Sequence, residues 1–291
     1  MDYREPTIRS RELGEGLRLA MVGAGINGKQ MAARLGWSTS KVSRMFVGNR
    51  GVTEVDVATF LGVCGVAGAE RDRLLDLCRE RDARGWLQQH GSRLPKQLRT
   101  LIDHEEQAVA ISQFEVHLIP GLMQTAEYAR EIIRCTVNVP AHEVEDRVEA
   151  KLARQRLISA SPPPDCVFYI HELALRLEVG GPAVMSAQLH ELLRLSVRRY
   201  ISIRVLQARH GAHAGTAGPF RLMDFAGIKP IVFLESETSC TFLERSEEIA
   251  AYRSILVALA DTALDEGQSR ELIAGLATEL YPDQEEHDER V

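Results

Sequence analysis

No stretch of this sequence approaches the ~18–20 consecutive apolar residues that a membrane-spanning helix needs. The opening Met1-Asp2-Tyr3-Arg4-Glu5-Pro6 lacks the apolar core of a signal peptide, so a cytoplasmic location with no membrane partner is expected. The five cysteines (Cys64, Cys78, Cys135, Cys166 and Cys240) are odd in number and form no C-x-x-C pair. They read as reduced core thiols rather than a disulfide framework or a zinc site. An H-E-x-x-H helix is also missing, and the Gly180-Gly181-Pro182 stretch carries neither a G-x-G-x-x-G loop nor a Walker lysine. His171-Glu172 and His210-x-x-His213 fall short of a ligand-spaced signature, because the second pair lies in a glycine-rich loop that aims neither ring at one ion. Gly180-Gly181-Pro182 reads as a turn before a helix rather than an anion cradle. The expectation is therefore no enzyme: no catalytic residues, no metal site and no cofactor.

What is present is an ordinary folded composition, 45% hydrophobic and 26% charged, on 291 residues, enough for two domains. The net charge of −6 argues against nucleic acid, but its distribution argues for it. Residues 1–50 hold nine cations against four carboxylates, a net +5, whereas residues 282–291 hold five carboxylates against one arginine. A basic head on an acidic chain is the electrostatic footprint of a DNA-binding module carried by something else.

Residues 1–84 read as five short helices and no strand. Leu13, Leu17 and Met21 share one face of the first helix, and Gly23-Ala24-Gly25 ends it. Gly36 stops the second helix, Ser38 caps a third that ends at Gly48, and Thr53 with Asp56 opens a fourth. The fifth spans about 69–84. Residues 85–281 read as an α+β domain with a small, mainly antiparallel sheet. Its helices are expected over about 96–112, 124–135, 142–159, 245–265 and 268–280, with one more through Met185 and Leu192. Its strands are expected at Val167–Ile170, Ile201–Leu206, Phe220–Phe225, Ile231–Glu235 and Cys240–Leu243, closely spaced enough to pair as neighbours. Residues 282–291 read as a disordered acidic tail. There is no internal repeat.

Function is concentrated in Gly28 to Arg44. When Ala32, Leu35 and Val42 pack together, helix, glycine turn and second helix leave Thr39, Ser40, Lys41, Ser43 and Arg44 outside. Hydroxyls and cationic forks of this kind suit base edges and phosphates in a major groove. Ser38, at the start of that helix, joins the set, and Lys29, Gln30 and Arg50 are expected on flanking phosphates. The predicted partner is double-stranded DNA. A homodimer is expected, because one recognition helix reads only a few base pairs.

With Ala32, Leu35-Gly36, Ser38, Ser40, Val42-Ser43-Arg44 and Gly48 in this arrangement, residues 9–80 resemble the Xre/Cro-type helix-turn-helix. Residues 86–280 resemble a C-terminal domain of unknown function, described as antitoxin-like, found in actinobacterial regulators. The matching stretches are Trp86, Phe114-Glu115, Pro120-Gly121-Leu122-Met123-Gln124-Thr125-Ala126-Glu127-Tyr128-Ala129, Arg154-Gln155, Gly180-Gly181-Pro182, Gly211 to Gly215 and Gly218-Pro219-Phe220. The resemblance implies transcriptional regulation, with a small protein encoded by a neighbouring gene as partner of the second domain. A small-molecule ligand for that domain is the alternative. One departure stands out: an arginine–glutamate pair common in repressor-like domains is replaced by Met21 and Phe46, which we expect to touch.

Overall fold

The computed structural model describes residues 7–46, 52–79, 86–89, 95–236 and 239–280. The sequence-based expectations for Gly48, Arg50 and the acidic tail lie outside these residues. The elements run α1 (Ile8–Gly23), α2 (Gly28–Leu35), α3 (Thr39–Phe46), α4 (Glu54–Val63), α5 (Gly68–Arg79), β1 (Trp86–Gln89), α6 (Pro95–Gln107) and β2 (Ala108–Glu115). They continue with α7 (Ala126–Cys135), α8 (Val144–Arg154), β3 (Asp165–His171), α9 (Glu172–Arg176), α10 (Pro182–Leu195) and β4 (Ile201–Leu206). The last are β5 (Phe220–Phe225), β6 (Ile231–Glu235), β7 (Ser239–Leu243), α11 (Ser246–Thr262) and α12 (Glu266–Leu280). No helix among the described residues is long and apolar enough to cross a membrane.

The chain divides into two compact units: Met1–Thr100 with Gly227–Ile231 and Ser236–Glu248, and Leu101–Ala226 with Val232–Glu235 and Ile249–Val291. In the first, Leu13, Leu17, Met31, Val42, Met45, Phe60, Leu61 and Leu74 form a single apolar core from α1 to α5. Local chemistry fixes the helix starts. Thr7 with Ser10, Asn27 with Gln30 and Thr53 with Asp56 each form a reciprocal capping box. Met21 and Phe46 both join this core; the ring found against Phe46 is Phe60, at 6.0 Å and edge-on. β1 pairs antiparallel with β7 in the same unit. Just beyond β7, Glu244 accepts a hydrogen bond from the N–H of Ile8 at 3.0 Å, placing a carboxylate at the positive end of α1.

The sheet of the second unit corrects the expectation of a small, mainly antiparallel one. Its strands lie in the order β6-β5-β2-β3-β4. β2 is antiparallel to β5 but parallel to β3, and β3 is parallel to β4. The sequence-based expectation is a helix over about 96–112. In fact α6 ends at Gln107, and a buried strand occupies 108–115. Once β2 is a strand, α7–α8 and α9–α10 become crossovers between parallel neighbours, which a hairpin loop could not supply. Ile111, Phe168, Ile170, Ile203 and Val205 are all buried in this sheet.

Candidate nucleic-acid interface

Gly36 adopts φ 65°, a left-handed conformation that favours glycine, and closes α2 by donating to the carbonyls of Ala32 and Ala33. Two residues later the Ser38 hydroxyl accepts the N–H of Lys41 at 3.1 Å and starts α3. The turn between the helices is therefore three residues long. Val42 and Met45 are each 1% exposed and anchor α3 in the core. A close approach also sets its far end: a β-carbon on Gly14 would lie 2.2 Å from the carbonyl oxygen of Phe46, so only glycine lets α1 and α3 meet there.

This anchoring leaves Ser38, Thr39, Ser40, Ser43 and Arg44 exposed on one side of α3, and Lys29 and Gln30 exposed at the start of α2. Gln30 has a second duty, since its side-chain oxygen accepts the N–H of Asn27 at 2.9 Å. Lys41 differs from the rest. It is half-buried, and its ammonium donates to Asp56 Oδ1 at 2.6 Å and lies 4.0 Å from the centre of the Trp37 ring. Sequence reasoning missed Asp56 as a neighbour of the site, because a contact across fifteen positions leaves no periodic signal. Trp37, only four positions before Lys41, was within reach of a local reading but was not singled out.

The second unit holds a polar network that runs from α6 and α8 to β2 and β5. Glu105 of α6 is 1% exposed. It accepts two hydrogen bonds from Arg154, at 2.7 and 2.8 Å, and a further one from Arg221. Arg221 also donates to Gln113 at 3.0 Å, and Gln113 donates to Glu115 at 2.6 Å. Lys151 donates to Gln124, which donates to the carbonyl of Ile119. Burial pushes Glu115 up to about 7 against the pull of Gln113 and Arg221. Burial, with repulsion from Arg154, brings Lys151 down to about 8. The histidines take local structural parts: Nδ1 of His171 accepts the N–H of Leu173, and Nδ1 of His213 that of Gly215.

Comparison with known proteins divides the chain in the same sense. A profile for a helix-turn-helix domain matches residues 12–74, and one for a domain of unknown function (DUF5753) matches residues 98–275. No curated protein and no solved structure matches the chain.

Proposed function

Because the chain belongs to the family of the domain of unknown function DUF5753 and carries a helix-turn-helix domain ahead of it, we propose that it is a sequence-specific transcription regulator whose second domain receives the signal. The observation that carries this reading is the outer side of α3, where Thr39, Ser40, Ser43 and Arg44 stand exposed over a core closed by Val42 and Met45. Short hydroxyls and an arginine fork on one helix face match the donor and acceptor pattern of base edges. Within helix-turn-helix proteins the domain is of the Xre/Cro type. The protein works in the cytoplasm as a homodimer, and a small protein encoded beside it engages the second domain in the antitoxin-like manner. It performs no catalysis.

Sequencing the DNA that co-purifies with the full chain supplies the operator. Replacing Arg44 with Ala then costs about 1–3 kcal/mol of operator binding and relaxes discrimination at one base position. Normal operator binding by R44A would remove α3 as the reading helix. Co-expression with the neighbouring gene product, followed by the mass of the purified complex, tests the partner and the dimer together.

A further inference from the structure

Lys41 and Arg44 are the two cations of α3, and they are treated differently. Arg44 is exposed, whereas Lys41 is drawn to Asp56 at 2.6 Å and lies under the Trp37 ring. The carboxylate that holds it is itself fixed. Asp56 stands in the first turn of α4, and its Oδ2 accepts the N–H of Thr53 at 2.9 Å while its own N–H donates to the Thr53 hydroxyl at 3.1 Å. Its side chain is only 15% exposed. Burial opposes its charge, but the hydrogen bonds from Lys41 and Thr53 prevail and hold the carboxyl below its usual range. Asp56 thus stays charged and in place because of the helix cap, and Lys41 comes to it.

A cation that reaches a backbone phosphate strengthens binding to every sequence alike. A cation kept on a fixed carboxylate does not. Were Lys41 to leave for a phosphate, Asp56 would remain uncompensated beside a polyanion. We propose that Asp56 is a specificity-determining residue of the DNA-reading surface: by holding Lys41 against Trp37 it withholds one charge of the recognition helix from the phosphates and lowers binding to non-operator DNA. This rests on the DNA-binding reading above.

The test measures binding of the full chain to a random-sequence duplex across a salt series, with the operator beside it. Asp56→Asn keeps an oxygen for Thr53 and releases Lys41. It is expected to bind the random duplex roughly 3–10-fold more tightly near 0.1 M salt and to steepen the salt slope by about 0.9. Operator affinity should gain less, so the specificity ratio falls. Asp56→Ser is the second variant, since Ser10 fills the same capping position in α1. Adding Lys41→Met to either variant should return the slope to that of the parent. An unchanged slope in both single variants overturns the proposal. So does a gain that persists without Lys41, which would mark a general effect of lost negative charge. Failure of the wild-type chain to bind any duplex would instead remove the DNA-binding reading on which the proposal stands.

Discussion

In α1 to α5 the cations Lys29, Arg34 and Arg44 are exposed, while Val42, Met45 and Phe60 are buried beneath them. Glu12 is buried there too, but its partner Arg73 reaches on to Glu70, which is half in solvent. In the second unit the arrangement is inverted. Glu105, Arg154 and Arg221 are all nearly inaccessible, both arginines bond to Glu105, and Gln113 and Glu115 continue the chain. The contrast separates two uses of charge. On α2 and α3 the cations Lys29, Arg34 and Arg44 are held at the surface, where they can meet an external polyanion at little cost to folding. In the Glu105 network of the second unit charge is desolvated, so each group there depends on its neighbours and tolerates no partial loss.

The largest test of that contrast is Glu105→Ala. It leaves two buried guanidinium groups without their carboxylate and is expected to destabilise the protein by about 3–5 kcal/mol in chemical denaturation. A loss below 1 kcal/mol would mean that water compensates the arginines and that the network is not truly desolvated. A smaller effect is expected from Gly14→Ala in the helical unit. The added carbon would press on the Phe46 carbonyl and push α3 outwards. Overpacking of this kind costs about 1–3 kcal/mol, and operator affinity should fall with it. Unchanged thermal stability in G14A would show that α1 and α3 can part freely.

Much of the helical unit was legible in the sequence, because its determinants are local. Thr53 followed by Asp56, Gly36 closing α2 and Ser38 opening α3 are signals within a few residues of the structure they make. The outward set on α3 followed from period alone, apart from Lys41, whose long-range pairing with Asp56 has no local mark. In the second unit, β4, β5 and β6 coincide with the expected runs, but β2 was hidden. It pairs with β3 and β5, both distant in sequence, and Ile111 with Phe114 satisfies a helical spacing equally well. Glu105, Arg154 and Arg221 were illegible as a network for the same reason, although Arg154 lay in a stretch shared with the resembling domain.

Lys29→Ala sharpens the other side of the comparison. Lys29 is exposed at the start of α2, so its removal should leave stability within about 0.5 kcal/mol. If it meets a phosphate, the salt slope of DNA binding falls by about 0.9 and every sequence is weakened alike. A sequence-dependent loss would place Lys29 on a base edge instead.

A further expected effect is on pH dependence, and it belongs to Glu115 and Lys151. Both are half-buried in the second unit. Burial raises the Glu115 carboxyl from its usual value to about 7, and a carboxyl raised on folding stabilises most in acid. Its contribution is full below about pH 4.5 and is lost as pH climbs to 7. Lys151 is lowered from 10.5 to about 8, so the folded chain binds fewer protons than the unfolded chain between those values. Stability therefore recovers as pH rises from about 8 towards 10.5. Together they predict a minimum near neutrality, superposed on the contributions of the remaining groups. Melting temperatures measured across pH for wild type, Glu115→Gln and Lys151→Met isolate the two limbs by difference. E115Q should flatten the curve between pH 4.5 and 7, and K151M should flatten it above pH 8. Each group attracts the other, so removing one shifts the limb of its neighbour as well: without Lys151 the Glu115 limb moves to higher pH, and without Glu115 the Lys151 limb moves to lower pH. Parallel curves for all three proteins would show that neither side chain is desolvated, and the inversion of charge between the two units would then end at Gln113.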